Sequence, residues 1–282
     1  MTKIIADTST LYSTKEGREK GILISPLQVT ANGKTFFEYD EVSSNEFIRL
    51  INEEGAIPTS SQPPIGVVLD RYEQVPEDEE GLNITMTDGL SGTWQSAVMA
   101  QQQFGSDRIH VLDSKSLCGP HRYFVDNAVK MAEKGMSAQE IIDALTPNID
   151  NCNSWLIPQD FGYLARGGRL SKSGATLLGV LKLVVTLIHS ADKKKLDKFG
   201  IARTYKKALA NIADAMKKAG VNEEYEIFIC HATNEKQAKE TVDFFKNAFP
   251  GANVTEYHLS PAFITQGGPG CLAIQYCKRI TL

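Results

Sequence analysis

Cysteine is scarce in this chain, and its spacing follows no recognisable pattern. The sequence has five cysteines, an odd number, and none of them belongs to a Cys-x-x-Cys pair. Such a set indicates neither a paired disulfide framework nor a zinc site. We therefore expect five free thiols in a reducing cytoplasm. The five are Cys118, Cys152, Cys230, Cys271 and Cys277.

A strong excess of one charge and long apolar runs are also missing. The net charge is -4 over 282 residues, which gives no indication of broad affinity for nucleic acid or anionic membrane. The apolar run at 177–188 contains Lys182 and is shorter than a membrane-spanning helix. Near the start of the sequence, Asp7 interrupts the apolar residues too early for a secretory signal. We expect a cytoplasmic protein with at most transient membrane contact and no nucleic-acid partner.

Familiar catalytic motifs are absent as well. The segment GLSG at 89–92 begins like a nucleophile elbow, but Thr93 stands where G-x-S-x-G requires glycine. The segment GPGCLA at 268–273 lies too near the C-terminus for the acidic residue of a dinucleotide site to follow. The five histidines show no triad order, and we recognise no metal-ligand spacing of histidines and carboxylates. The sequence therefore predicts a protein that is not an enzyme, with no catalytic residue, no metal site and no cofactor.

The chain does contain an alternation of short apolar segments with amphipathic ones. In the first half this pattern is typical of a parallel sheet covered by helices. The predicted strands there are 3–7, 21–29, 82–87 and 108–113, and the predicted helices are 44–54, 64–75, 93–104, 121–135 and 137–148. In the second half the predicted strands are 154–160, 183–188, 224–231, 252–259 and 270–278, and the predicted helices are 204–220 and 234–249.

These patterns predict an α/β protein with two domains, because the chain exceeds the usual size of a single core. We expect an N-terminal parallel-sheet α/β domain over residues 1–153. We expect a C-terminal α+β domain with a mixed or antiparallel sheet over residues 154–282.

Hydroxyl groups and glycines collect where the first-half strands end. The segments are 7–10, 87–93 and 113–116, and the hydroxyl-rich Thr59–Ser61 precedes a predicted helix. Ligands of open α/β sheets bind beyond the carboxyl ends of the strands, and hydroxyls and helix-start amides suit a small anionic group there. The same residue types are also preferred helix caps, which leaves a purely structural interpretation open.

The second half carries an unusually apolar stretch at 175–188. One long ligand with a small acidic head would use both this stretch and the polar strand ends. Burying about a dozen methylenes at ~0.8 kcal/mol each contributes about 10 kcal/mol before losses, so a few donors suffice to orient the head. An ordinary buried core would produce the same stretch.

Several short motifs follow one another along nearly the whole chain. They are ADTST at 6–10, SPLQV at 25–29, PTSSQPPIG at 58–66, GLSGTWQSA at 89–97, VLDSKS at 111–116, LARGGRLS at 164–171 and ARTYKKA at 202–208. In this order they resemble the motifs of the DegV family of bacterial fatty-acid-binding proteins. The resemblance implies a long-chain fatty acid buried between the two domains, the first binding its carboxylate and the second covering its acyl chain. It also implies a cytoplasmic fatty acid kinase as the partner that converts the presented carboxylate to acyl phosphate for phospholipid synthesis.

The resemblance carries the family's carboxylate contacts to Ser60 and Ser91 of this sequence. Prolines beside Ser60 would hold its loop rigid and reduce the ordering cost of binding. The supporting head-group donors would be Thr59, Ser61, Gly92, Thr93 and Gln266. Arg169 and Arg203 would contact the kinase or add positive charge near the head group, although arginine is also common on ordinary surfaces.

Four residues at three places depart from the family pattern. Gln266 stands where the family usually has histidine, and Val185–Thr186 replaces a Lys-Pro pair. Asp88 replaces a small hydroxyl residue, and a carboxylate beside a fatty-acid carboxylate would repel it. These departures keep open a carrier of a different apolar acid. From another class of protein, a serine hydrolase or acyltransferase using Ser91 also stays open, and it requires a base within hydrogen-bond reach.

Overall fold

The computed structural model of the chain describes residues 1–55, 57–176 and 183–281. The chain divides into two compact units. The first comprises Met1–Asp150, Ser260–Ala262 and Ile280–Leu282, and the second comprises Asn151–Leu259 and Phe263–Arg279. The domain boundary predicted after residue 153 falls inside a strand that begins at Cys152. The roles assigned to the two domains stay predictions.

The first unit is built on a parallel sheet. Its strands are β1 (Thr2–Asp7), β2 (Ile22–Ser25), β3 (Gln28–Ala31), β4 (Lys34–Phe37), β5 (Thr59–Ser61), β6 (Glu80–Thr85) and β7 (Ile109–Asp113). Its helices are α1 (Thr14–Glu19), α2 (Ser44–Glu54), α3 (Ile65–Glu73), α4 (Thr93–Phe104), α5 (Cys118–Glu133) and α6 (Ala138–Ile149), with a 3-10 turn at Thr8–Thr10. The main sheet has the order β2-β1-β6-β7, and every pair in it is parallel. The α/β prediction is confirmed.

Local sequence signals begin and end the helices of this unit. Ser137 begins α6 with a capping box, in which its hydroxyl accepts from the amide of Glu140 and the Glu140 carboxylate accepts from the amide of Ser137. Helix α2 spans Ser44–Glu54, the bounds predicted from the pattern, and its N-cap is Ser43, whose hydroxyl accepts a hydrogen bond from the amide of Glu46. Gly55 ends this helix in the left-handed conformation that glycine adopts without steric cost.

The segment 21–29, predicted as one strand, forms two strands in two sheets. Pro26 has no amide hydrogen for a sheet ladder, so β2 ends at Ser25 and β3 begins at Gln28. Strand β3 then lies between β4 and β5 in a small antiparallel sheet. The hydroxyl-rich segment Thr59–Ser61 is therefore a short strand at the edge of that sheet, where a loop was expected.

The second unit carries a mixed sheet. Its strands are β8 (Cys152–Ile157), β9 (Val184–His189), β10 (Leu196–Ala202), β11 (Tyr225–His231), β12 (Asn253–His258) and β13 (Leu272–Lys278). Its helices are α7 (Phe161–Gly167), α8 (Lys172–Ala175), α9 (Tyr205–Lys218) and α10 (Glu235–Ala248), and α11 (Pro261–Gly267) begins in the first unit. The strand order is β10-β9-β8-β13-β11-β12, with β11 and β12 parallel and the other pairs antiparallel. The predicted mixed sheet is confirmed.

The core of the second unit lies between its sheet and the helices α9 and α10. Trp155 of β8, Ile212 of α9 and Phe245 of α10 are among its fully buried side chains. Of the apolar stretch at 175–188, residues 177–182 lie outside the described residues, and β9 takes up 184–188. Among the helices that the structure describes, none is long and apolar enough to cross a membrane.

Candidate functional site

Two motif-bearing segments of the first unit meet at the start of α4. Ser96 of α4 donates a hydrogen bond of 2.9 Å from its Oγ to the carbonyl oxygen of Pro63. The side chain of Gln62 lies directly against Gly92, because a Cβ built on this glycine would stand 1.7 Å from Oε1 of Gln62. The segments PTSSQPP and GLSGT, separated by more than twenty residues in the chain, are therefore neighbours in space.

The first of these segments presents its hydroxyls from a sheet edge. Ser60 pairs with Val29 of β3 and is half-buried, whereas Thr59 and Ser61 are exposed. Pro63 is buried, and its ring fixes the backbone just beyond the strand. Backbone pairing on one side and proline on the other thus hold Ser60 in place.

The second segment places hydroxyls and amides at a helix start. The Oγ atom of Ser91 lies 2.7 Å from Oγ1 of Thr93 and accepts a 3.2 Å hydrogen bond from the amide of Thr93. Gly92 is the N-cap residue of α4 and has no side chain to satisfy the first amides of the helix. Because the positive end of the helix dipole lies here, this turn suits an anionic oxygen.

Asp88 adds negative charge next to this turn. Its carboxylate accepts a hydrogen bond from Nε2 of Gln95, and its amide donates to Oδ1 of Asp113 at 3.3 Å. Burial raises the pKa of Asp113, and the charge of Asp88 adds to that rise. The departure at Asp88 therefore places a carboxylate, hydrogen-bonded by Gln95, beside the turn at Ser91.

Most of the other strand-end hydroxyls have structural roles. They are almost fully buried, with 0 to 3% of each residue exposed. Thr10 donates to the Asp7 carbonyl oxygen at 2.9 Å, and Ser116 donates to the Ser114 hydroxyl at 3.1 Å. These internal residues are Thr8, Ser9, Thr10, Ser114 and Ser116. The candidate site therefore contains fewer hydroxyl groups than the sequence pattern suggested. The purely structural interpretation applies to most of the strand-end hydroxyls.

A buried serine–histidine pair is one arrangement that sequence reasoning missed. The Oγ atom of Ser9 lies 2.5 Å from Nδ1 of His121, and Nε2 of His121 lies 2.9 Å from the carbonyl oxygen of Ile84. A carbonyl only accepts, so Nε2 carries the proton and Nδ1 accepts from the Ser9 hydroxyl. At 1% and 0% exposure, Ser9 and His121 are closed to a substrate, and the pair stabilises the interior. No sequence motif pointed to it, since the two residues are 112 positions apart.

Glu38 is a second buried group that the sequence did not reveal. Its carboxylate accepts hydrogen bonds from Oγ1 of Thr8 and from the amide of Ala262, the latter at 2.8 Å. Complete burial raises the pKa of Glu38 to about 7, although both hydrogen bonds favour the ionised form. A fully buried carboxyl is costly to ionise, so this group makes the stability of the first unit depend on pH.

The remaining predicted residues lie in the second unit. Gln266 packs against Gly167, where a Cβ would stand 2.0 Å from its Oε1, and its Nε2 lies 3.0 Å from Oγ1 of Thr265. Arg169 is half-buried and donates to the carbonyl oxygen of Gly167. Arg203 is exposed at the turn between β10 and α9. Their predicted roles toward a head group or a kinase stay predictions.

Three residues of the second unit form a cluster in which the ligand-type atoms lie within 4.8 Å of one another. They are His231, Glu235 and His258, a group that the sequence pattern did not reveal, and the absence of a metal site stays a prediction. His231 and His258 are register partners at the carboxyl ends of the parallel strands β11 and β12. Glu235 opens α10 next to them. The spacing His231-x-x-x-Glu235 is the sequence signal that could have revealed the pair.

The hydrogen bonding of His231 does not fit a metal ligand. Its Nδ1 accepts a 3.0 Å hydrogen bond from the amide of Asn234, so the proton of the neutral ring sits on Nε2. That nitrogen lies 3.2 Å from Oε1 of Glu256. A metal-bound histidine usually donates from its other nitrogen, whereas binding at Nε2 here would require an imidazolate. We therefore assign His231 a structural role at the start of α10.

A parallel α/β unit joined to a mixed-sheet unit defines the class of this protein. Comparison with known proteins then identifies its family. A family model described as "Uncharacterised protein, DegV family" matches residues 1–279. The chain belongs to the DegV family.

The relatives match over their full length. A DegV domain-containing protein from Halalkalibacterium halodurans is 28% identical over 283 residues, covering 98% of this chain and 99% of the relative. The crystal structure of DegV from Bacillus subtilis, described as a fatty acid binding protein, has a TM-score of 0.85 at 25% identity and covers 99% of both chains. A DegV family protein from Eubacterium eligens, loaded with heptadecanoic acid, has a TM-score of 0.84 at 23% identity and covers 99% of this chain and 100% of the neighbour. At 23% identity, the similarity to the Eubacterium eligens structure shows a shared fold.

Proposed function

We propose that this protein binds a long-chain fatty acid. The observation that carries the proposal is the full-length likeness to the Bacillus subtilis fatty acid binding protein. The turn at the start of α4 supports it, because hydroxyls and uncapped amides meet there beside a second hydroxyl segment. Membership of the DegV family and fatty-acid ligands in solved relatives point to the same class of ligand.

Ser60 and Ser91 hold the carboxylate in this proposal. The Ser91 hydroxyl donates to one carboxylate oxygen while its own oxygen accepts from the Thr93 amide. The Gly92 amide adds a donor at the same turn, Thr93 supports Ser91 by donating to its oxygen, and Thr59 and Ser61 flank Ser60 on β5. Gln266 is the predicted donor from the second unit. Where the acyl chain lies relative to the two units stays the prediction made from the family resemblance.

The protein presents its ligand to a separate enzyme in this proposal. Among the hydrogen bonds of the described residues, Ser91 pairs with Thr93 and not with a histidine or carboxylate base, which disfavours a serine hydrolase or acyltransferase. A cytoplasmic fatty acid kinase would supply the phosphoryl transfer, with Arg169 and Arg203 as candidate contacts. The kinase, the cytoplasmic location and the link to phospholipid synthesis rest on the family resemblance alone.

A carrier of a different apolar acid is the second candidate function. The observation that favours it is the carboxylate of Asp88 beside the turn at Ser91, since a charged ligand head would meet repulsion there. An acid whose negative charge is spread over a larger head group would tolerate that neighbour better than a simple fatty acid.

Mass spectrometry of the ligand extracted from protein purified without added lipid tests the proposal first, with native mass spectrometry for stoichiometry. A single stoichiometric fatty acid supports it, and a different apolar acid selects the second candidate. Ser60→Ala and Ser91→Ala should then each weaken palmitate binding by about 1.5–3 kcal/mol, because each removes a hydrogen bond to a charged group. Thr14→Ala is the matched control, because it removes a half-buried hydroxyl of α1 that donates to Asp40, away from the proposed site. Unchanged palmitate binding in both serine variants would refute the head-group assignment.

A further inference from the structure

The contact between Gln62 and Gly92 joins the two head-group segments of the proposed site. Oε1 of Gln62 would stand 1.7 Å, and Cδ 2.7 Å, from a Cβ built on Gly92. The amide therefore occupies the space that a side chain at position 92 would take. A side chain at position 92 would displace this amide, the flexible end of Gln62, so the two positions are sterically coupled.

Gly92 does not need to be glycine for its backbone conformation. Its φ is -81° and its ψ is 10°, values that ordinary residues adopt. The constraint on a side chain at this position is therefore steric, and it comes from the amide of Gln62. Gly66 in α3 offers a contrast, because a Cβ there would meet nothing within 4 Å.

The backbone is restrained on both sides of the contact between Gln62 and Gly92. Pro63 and Pro64 follow Gln62 and restrict the chain, and the Pro63 carbonyl oxygen accepts the 2.9 Å hydrogen bond from Ser96. The amide of Ser96 in turn donates to the carbonyl oxygen of Gly92 at 2.9 Å. Ser96 thus ties the Gln62 segment to the same helical turn that begins at Gly92.

We propose that Gln62 is a positioning residue, which sets the spacing between Ser60 and the Ser91–Thr93 turn by filling the side-chain space of Gly92. This inference rests on the proposed function, because the spacing matters for binding a carboxylate between the two segments. Donors that are displaced by a fraction of an ångström hold a head group poorly, even when each donor is present. Gln62 acts through its neighbours and needs no contact with the ligand.

The test is a double-mutant cycle of Gln62→Ala, Gly92→Ala and the double variant, with Gly66→Ala as the matched control. Gln62 is exposed and its amide is the flexible end of the side chain, so Gly92→Ala displaces that amide and leaves the fold intact. Binding of tetradecanoic acid and of 1-tetradecanol is measured by displacement of a fluorescent fatty acid. The two probes share a chain and differ in the charged head.

We expect each single variant to lose about tenfold in affinity for tetradecanoic acid, equal to ~1.4 kcal/mol, and to keep its affinity for 1-tetradecanol. The double variant should lose no more than either single variant, since the methyl group then enters the space that Gln62 vacates. Gly66→Ala should bind both probes like the parent. Additive losses, equal losses for both probes, or unchanged binding by Gln62→Ala would each overturn the inference.

Binding of the two probes by the parent protein tests the proposed function separately. A parent protein that binds neither probe refutes fatty-acid binding. In that case the positioning role of Gln62 is tested by the amide chemical shifts of Ser91, Gly92 and Thr93. Gln62→Ala should displace all three shifts and Gly66→Ala none, and shifts that stay in place in Gln62→Ala would overturn the positioning role as well.

Discussion

Replacing Glu38 by glutamine should change how the stability of the protein depends on pH. The buried carboxylate accepts from Oγ1 of Thr8 and from the amide of Ala262. Glutamine has the same shape, so its oxygen can accept from Ala262 while its nitrogen donates to the Thr8 hydroxyl. Glu38→Gln therefore imitates the protonated acid and removes only the titration.

The magnitude follows from the raised pKa of Glu38. Burial raises this pKa from 4.5 to about 7. Between these values the folded chain retains a proton that the unfolded chain has released. The stabilising contribution is therefore complete below pH 4.5 and is lost as the pH rises through 7. At about 1.4 kcal/mol for each pH unit, the loss is about 3 kcal/mol.

Urea unfolding followed by circular dichroism at pH 4.5, 6, 7 and 8 measures this effect. We expect Glu38→Gln to match the parent within about 1 kcal/mol at pH 4.5 and to exceed it by about 3 kcal/mol at pH 8. The control is Glu140→Gln, in a fully exposed group whose pKa is lowered by the amide and hydroxyl of Ser137. In the parent, the stabilising contribution of the Glu140 carboxylate is lost as the pH falls. Glu140→Gln lacks this contribution, so it should be less stable than the parent at high pH, which is the opposite of the effect expected for Glu38→Gln. A constant difference between Glu38→Gln and the parent at every pH would refute the reasoning.

Three further predictions concern the second unit. Arg203→Glu should leave palmitate binding unchanged and slow phosphorylation by a fatty acid kinase, measured with radiolabelled ATP; an unchanged rate would remove Arg203 from the partner surface. Phe245→Ala should lower the free energy of unfolding by about 3–5 kcal/mol, because a fully buried ring in contact with Phe249 leaves a cavity; a loss below 1 kcal/mol in urea unfolding would contradict that packing. Equimolar Zn²⁺ should leave the melting temperature unchanged, because Nδ1 of His231 already accepts a hydrogen bond from the amide of Asn234. A rise in melting temperature that His258→Ala abolishes would show that the cluster binds metal.

The elements with strong local signals could be predicted from the sequence. Helix α4 runs over 93–104 as expected, because its ends are set by Gly92 and Gly105. Strand β11 ends at His231 as expected, because a fully buried strand has a nearly continuous run of apolar residues in the sequence. The head-group segments at Ser60 and Ser91 were also named from motifs in the chain, although their roles are still predictions.

Elements that depend on distant partners could not be predicted. Strand β10 is half-exposed and takes its ladder hydrogen bonds from β9, so its residues show no strong apolar pattern. The segment 21–29 was expected to be one strand, and the sequence did not reveal that β3 would join a separate sheet with β4 and β5. The burial of Glu38 required both Thr8 and Ala262, which are 30 and 224 positions away.

The sequence by itself determined the α/β class, the mixed second sheet, and the family motifs that single out Ser60 and Ser91. These depend on residue periodicity, caps and short motifs, which act within a few residues. Only the tertiary structure decided which hydroxyls are internal, that Ser9 faces His121, and that Gln62 fills the space of Gly92. Those contacts join segments far apart in the chain, and their close packing has no local signature in the sequence.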